Sequence, residues 1–265
     1  MGFLEAVILG IVQGFTEFLP ISSSGHLIVA RRLFGIEEPM LAFDIIMHLG
    51  SLVAVFVVFW KNLFELIKKP FQNMTYMLIV ATIPAVIVGL LFKDQIEVLF
   101  EGGIFLALCF IITGLLLLYS DSIRNNEKGD KDMHLPDALF IGCVQAIAIA
   151  PGISRSGSTI TAGLHRGFSR ETAARFSFLL SIPAILGAAV LMIMEMFGSS
   201  DSALWVLPDT GPLILAFLAA MLSGYLAIRF MLNLIKKCKL RYFSIYLFAL
   251  AGFILVDIFL TQRFF

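Results

Sequence analysis

The stretch from Gln13 to His26 reads Gln-Gly-Phe-Thr-Glu-Phe-Leu-Pro-Ile-Ser-Ser-Ser-Gly-His, with apolar runs on both sides. It holds a carboxylate, a run of serines and an imidazole beside a proline and glycines. An ionisable group in so apolar a setting is costly, roughly 2.5–3.5 kcal/mol for Arg, Lys or Asp at the centre of a membrane helix, and marks a candidate functional site. Gln13 and Glu17 are four apart, so a helix puts both on one face. Ser22, Ser23 and Ser24 can cap the helix that follows, and Gly25 lets backbone approach closely. A helix start with hydroxyls and free amides is a ready anion site. His26, one turn in, is of a type that serves as base or nucleophile near neutral pH.

A second stretch echoes the first. Gly142-Cys-Val-Gln145 repeats Gly10-Ile-Val-Gln13, and Ile153-Ser154-Arg155-Ser156-Gly157 repeats Ile21-Ser22-Ser23-Ser24-Gly25 at the same offset and without a gap. Two matched blocks at one offset indicate an internal duplication. Ser154, Ser156 and Gly157 form another helix start of the same kind. Arg155 adds a planar fork that matches phosphate oxygens. Together the two stretches suggest a phosphate cradle beside an acid/base set. Plainer readings stand next to this one: serine-rich turns cap helices, a lone histidine is often structural, and Glu17 and Arg155 would also suit a structural ion pair. Asp44 and His48 are candidates for support of the site, whereas Glu195, Arg229 and Asp257 read as structural or interfacial.

These residues need elements to hold them. Apolar residues make up 59% of the chain and charged ones 14%, about half the usual share for soluble domains, which points to an integral membrane protein. The formal charge is zero, so no nucleic-acid partner is expected. Cys109, Cys143 and Cys238 lie far apart in or beside apolar runs and read as buried thiols. Without a basic region at its start, the first segment is expected to belong to the mature fold.

A helix needs about 20 apolar residues to span a membrane. Gly2 to Leu19 stops at Pro20, and Gly25 to Leu33 is too short, so the pair is expected to form a re-entrant hairpin. Ala138 to Ala150 and Ser156 to about Leu164, broken by Pro151-Gly152, make the second hairpin. Non-helical backbone at that depth requires cover from protein or a watery cavity. Fuller spans are expected at 41–60, 76–92, 104–119, 176–197, 213–235 and 242–260. The reading is therefore an all-α membrane protein, a single domain of residues 1–265. Its first repeat is 1–119, its linker 120–137 and its second repeat 138–265.

Three spans per repeat is an odd number, so the second repeat is expected upside down. One side then carries Lys61, Lys68, Lys69, Arg124, Lys128, Lys131, Arg166, Arg170, Arg175, Lys236, Lys237, Lys239 and Arg241. The other carries only Arg31, Arg32, Lys93 and Arg263. The richer side, including the linker, is expected to be cytoplasmic. The hairpin tips would meet near the midplane, as in inverted-repeat transporters.

The two motifs resemble those of the undecaprenyl-diphosphatase family, also called bacitracin-resistance proteins. The first motif of that family has Glu or Gln, three residues, Glu, then Pro-x-Ser-Ser-(Ser/Thr)-Gly-His. It is matched by Gln13, Glu17, Pro20, Ser22, Ser23, Ser24, Gly25 and His26. The second, Pro-Gly-x-Ser-Arg-Ser-Gly, is matched by Pro151, Gly152, Ser154, Arg155, Ser156 and Gly157. Gln13 stands where other members carry a second carboxylate.

The resemblance implies removal of the terminal phosphate from a C55 polyprenyl diphosphate, recycling the lipid carrier for cell-wall synthesis and giving bacitracin resistance. It implies a bacterial plasma-membrane protein whose site faces the outer side, with Mg2+ or Ca2+ in support. Its partners would be the lipid substrate and the bilayer, with a homodimer left open. Glu17, His26, Ser23 and Arg155 would be catalytic. Arg155 would clamp the diphosphate, and the nucleophile would be His26, Ser23 or a water activated by His26. Glu17 would orient His26 or hold the cation. Gln13, Ser22, Ser24, Gly25, Ser154, Ser156 and Gly157 would bind substrate. The other lipid phosphatase superfamily needs a histidine where Thr161 stands and is set aside. A transporter or flippase of polyprenyl phosphate lipids is the alternative, since inverted repeats with broken helices also mark transporters.

Overall fold

The computed structural model describes residues 1–36, 41–92, 95, 98, 102–123, 127–198, 209–237 and 239–265. Lys93, Arg124, Asn125, Asn126, Cys238 and the side chain of Glu195 lie outside the described residues. The described residues form eleven α-helices. The first half contains α1 (Phe3–Phe18), α2 (Ser23–Phe34), α3 (Leu41–Val58), α4 (Trp60–Lys68), α5 (Asn73–Leu91) and α6 (Gly103–Ser122). The second contains α7 (Leu135–Ile147), α8 (Arg155–His165), α9 (Arg170–Gly198), α10 (Thr210–Lys237) and α11 (Arg241–Val256). A π-helical turn, Asp257–Thr261, continues α11.

Five of these helices, α5, α6, α9, α10 and α11 with its π turn, are long and apolar enough to cross a membrane. A sixth crossing exists if α3 and α4 count together, but the chain bends by 80° between them. The expected span at 41–60 therefore ends at Val58. The sequence reading missed α4, because the helix is short and mixes Lys61 and Lys68 with exposed Trp60, Phe64 and Ile67. Its apolar residues follow helical spacing, so no continuous apolar run announces it.

The broken helices α1–α2 and α7–α8 pack against the longer ones. α1 packs along α10, and its counterpart α7 packs along α5. The duplicated glycines make both contacts close. A Cβ at Gly10 would run into the Ala216 carbonyl of α10, and one at Gly142 into the Ala81 carbonyl of α5. Small residues at such crossings let helix backbones approach in membranes. Half of the repeated Gly-x-x-Gln signal is thus a packing device. The halves also meet through α6 against α11 and α3 against α9.

The polar run 120–137 is anchored at several points. Asp121 pairs with Arg170 at 3.0 Å and accepts from the backbone N–H groups of Leu240 and Arg241. Asp130 pairs with Arg175 at 2.9 Å, and Asp137 with Arg166 at 2.6 Å. Cys109 is buried as expected, but Cys143 is exposed on the outer face of α7. In a membrane-facing shell, an outward thiol costs no more than the apolar side chains around it.

Candidate active site

Each helix break ends in a serine cap. Ser22 Oγ accepts from the Gly25 N–H at 3.4 Å, and Ser154 Oγ accepts from the Gly157 N–H at 3.1 Å. The hydroxyl pairs Ser22–Ser24 and Ser154–Ser156 lie 3.4 and 3.2 Å apart. The two starts differ in backbone. Ser154 is extended, whereas Ser22 has φ of 73°, a left-handed conformation rare outside glycine. Such a residue costs about 1–3 kcal/mol and persists only where its surroundings hold it.

The two tips touch. Ser156 Oγ donates to the Leu19 carbonyl at 2.9 Å. A Cβ at Gly25 would strike the Phe110 ring and come within 3.1 Å of Gly152 Cα, so this junction tolerates only glycine on the first tip. Gly152 itself has φ of 88° and is held by Thr113 of α6, whose hydroxyl donates to its carbonyl at 2.9 Å and accepts from the Ser154 N–H at 3.1 Å.

Glu17 is the hub of the junction. Arg155 donates from its Nη2 to Glu17 Oε1 at 2.6 Å. Ser23 Oγ donates to Glu17 Oε2 at 2.6 Å, and Gln13 Nε2 donates to the same oxygen at 3.1 Å. The carboxylate side chain is 7% exposed and the guanidinium 15%, so the pair is largely out of solvent yet reachable. Arg155 also donates from Nη1 to the Ser177 carbonyl of α9 at 3.3 Å. Ser23 and Arg155 occupy equivalent positions in the duplicated motifs, and both converge on this one carboxylate.

His26 is held differently from the expectation that Glu17 orients it. Its Nδ1 lies 2.7 Å from the Ser22 carbonyl and its Nε2 lies 2.8 Å from the Tyr246 hydroxyl. The ring stacks on Tyr246 and meets Phe110 edge-on. Arg31 pairs with Asp44, and His48 Nδ1 bonds to the Asp44 carbonyl, while the His48 ring stands near enough to Glu17 to act on its charge, in keeping with support of the site.

All eleven sequence-selected residues therefore lie in one bonded or touching network at the tips. Sequence reasoning missed Thr113, Ser177, Phe110 and Tyr246. Thr113, Ser177 and Tyr246 are polar groups inside apolar spans, which was the available signal.

A divalent cation can be tested against this donor set. Among the described residues no cluster of three or more His, Cys, Asp or Glu side chains is present. Gln13 Oε1 is buried without a hydrogen-bond partner, next to Glu17. One carboxylate and one free amide oxygen fit a hard cation that takes its other oxygens from phosphates and water.

Residues 6–253 match the family described as Bacitracin resistance protein BacA. The undecaprenyl-diphosphatase of Carboxydothermus hydrogenoformans is 46% identical over 256 residues, covering 97% of each chain. Undecaprenyl-diphosphatase 3 of Bacillus cereus is 46% identical over 257 residues, again with 97% of each chain covered. The undecaprenyl-diphosphatase of Methanosphaera stadtmanae is 41% identical over 268 residues, with 93% of this chain and 94% of its own covered.

Proposed function

The chain belongs to the bacitracin resistance protein BacA family, and we infer from that membership and from the junction of the two tips what it does. It is an undecaprenyl-diphosphatase, a multi-pass membrane enzyme. It hydrolyses undecaprenyl diphosphate to undecaprenyl phosphate and inorganic phosphate, which recycles the lipid carrier and fits resistance to bacitracin. The observation that carries the site assignment is the convergence of Arg155 and Ser23 on Glu17 between two serine-capped helix starts.

Phosphoryl transfer asks mostly for positioning and charge neutralisation. The starts of α2 and α8 offer amides and hydroxyls to an anion. Arg155 has a forked donor set that can take two phosphate oxygens at once. Ser23 Oγ is the group already hydrogen-bonded to a carboxylate, which supports Ser23 as nucleophile and Glu17 as its base. Attack on the terminal phosphorus breaks the anhydride bond, undecaprenyl phosphate leaves, and the serine proton passes to Glu17. Water then attacks the phosphoserine and His26 takes its proton. Phosphate departs, Glu17 returns its proton to Ser23, and His26 gives up the proton it took from water to solvent. Ser22, Ser24, Gly25, Ser154, Ser156 and Gly157 line the anion site. Gln13 and Glu17 would hold Mg2+ or Ca2+, which when bound neutralises charge on the diphosphate.

The two halves are read as inverted-topology repeats in the bacterial plasma membrane, with the first hairpin entering from the outer side and the second from the cytoplasm. The excess of Lys and Arg in one set of loops supports that orientation, and the resemblance to the family implies that the site is reached from the outer side.

Phosphate release from a C55 diphosphate by purified protein in detergent tests the activity with no second compartment present, which a flippase would need. Arg155→Ala should be nearly inactive, since arginines of this kind are worth on the order of 10³–10⁵ in rate. Arg155→Lys should also lose most activity, because an ammonium is a point charge. Wild-type turnover in Arg155→Lys would mean that the pair with Glu17 is only structural. In that structural case either single alanine variant should also melt below the double variant with Glu17→Ala, since breaking a buried pair costs about 3–5 kcal/mol.

A further inference from the structure

His26 accounts for both of its ring nitrogens, and each partner dictates where the proton sits. The Ser22 carbonyl can only accept, so the Nδ1 nitrogen 2.7 Å from it must carry the hydrogen. In neutral imidazole the other nitrogen is then the acceptor. Nε2 therefore takes its hydrogen bond from the Tyr246 hydroxyl at 2.8 Å. The rings lie nearly parallel, 15° apart with centroids separated by 5.6 Å. Phe110 closes the other side with its ring edge, centroids 5.4 Å apart.

Tyr246 is placed to do this from far away in the chain. It stands on α11, 220 positions along the chain from His26, and its ring also walls an apolar cleft of about 390 Å³ with Ile21, Phe230, Leu234 and Phe243. Tyr246 is 45% exposed, yet its hydroxyl meets His26. A tyrosine needing only lipid-facing area would have no reason to aim its polar end at the tip. Tyrosine hydroxyls beside apolar surroundings usually find a partner, and here the partner is a histidine one turn into the anion-binding helix.

We propose that Tyr246 is a positioning residue for the phosphatase reaction: it holds the His26 ring in place and keeps its Nε2 lone pair available as a base. This rests on the assignment of His26 to the reaction made above. Because the phenol oxygen stands 2.8 Å from Nε2 along its lone pair, a proton from water reaches the ring through it: the hydroxyl gives its hydrogen to Nε2 as it takes one from water. The ring stays fixed by stacking on Tyr246 and by Phe110. Without the hydroxyl, the Ser22 bond remains but nothing faces Nε2, and the imidazole gains freedom in its plane and in its tautomer. Orientation by a second hydrogen-bonded group is how a catalytic base is commonly kept in its working state.

The experiment compares wild type, Tyr246→Phe, Tyr246→Leu and His26→Ala in detergent, with kcat, KM, thermal stability and 15N spectra of labelled histidine, the His26 signals being assigned by their loss in His26→Ala. Tyr246→Phe keeps the ring and the cleft wall. It should lower kcat about tenfold, the loss of one hydrogen bond in rate terms, with KM and melting temperature close to wild type. Its His26 nitrogens should depart from the single Nδ1–H tautomer pattern. Tyr246→Leu, which removes the ring as well as the hydroxyl, should show at least the same kcat loss. A purely structural role would lower the melting temperature and leave the tautomer signature alone. Wild-type kcat and unchanged His26 nitrogens in Tyr246→Phe, beside an impaired His26→Ala, would overturn this proposal while leaving the assigned reaction intact. Wild-type turnover in His26→Ala would instead overturn the role of His26 itself, and with it the reason for positioning it.

Discussion

Ser23 and His26 sit on one helix turn yet belong to different hydrogen-bond sets. Ser23 reaches Glu17 at 2.6 Å, while His26 is tied to Ser22 and Tyr246. That separation is consistent with the proposed division of the reaction between them. Ser23→Ala should lose at least ~10²-fold in phosphate release, as for a group needed in bond making. His26→Ala should lose as much, but for another reason: a phosphoserine should persist on the protein after acid quench of a reaction with terminally labelled diphosphate. Label retained by His26→Ala and absent from Ser23→Ala is the expected pattern. No retained label in His26→Ala, with normal kcat in Ser23→Ala, would return the nucleophile to water. The types and spacing of Glu17, the serines, His26 and Arg155 were legible in the chain because ionisable groups in an apolar sequence stand out. What stayed hidden was pairing. Nothing local tells that Arg155 meets Glu17 across 137 intervening residues rather than a phosphate alone, nor that His26 turns away from Glu17. Such contacts are decided by how the tips dock.

At the scale of the elements, the hairpins are held by close glycine crossings. Gly10 of α1 lies against α10 and Gly142 of α7 against α5, each facing a backbone carbonyl. Replacing either by leucine should separate the crossing helices, and overpacking of this kind costs typically about 1–3 kcal/mol or more. The equivalent pairing predicts similar drops in melting temperature for Gly10→Leu and Gly142→Leu, measured in one detergent. A large drop in one and none in the other would show that the two crossings are not equivalent supports. Short segments, broken at Pro20 and at Pro151-Gly152, were readable because proline and glycine interrupt an apolar run. α4 was not readable, since a nine-residue amphipathic helix carries neither a long apolar run nor a strong stop signal. The glycines were legible as a repeat but not as packing, because a repeat shows that two places are alike without showing what each one touches.

The whole molecule is read as two repeats of opposite orientation, and this has a direct test. Lys131 follows α6 and Asp209 precedes α10, and both are exposed. Single cysteines there, in a background without Cys109, Cys143 and Cys238, should react from opposite faces of intact cells. Position 131 should be shielded from an impermeant reagent and position 209 accessible to it, as the loop charges require. Labelling of both from outside would end the inverted arrangement. The contact between Glu17, Ser23 and Arg155 then carries a consequence about direction. Two identical hairpins facing each other would form a site with no front or back. Here the matched positions have diverged, one to a hydroxyl and the other to a guanidinium, while a single half kept the carboxylate. A lipid diphosphate is itself lopsided, with a bare phosphate at one end and a prenylated one at the other. On the proposed reading the site would have a handle for telling those ends apart, and neither repeat holds both sides of it. Two copies of the first repeat would bring two carboxylates and no guanidinium, and two copies of the second the reverse, so the ability to recognise which end to cut belongs only to the unequal pair.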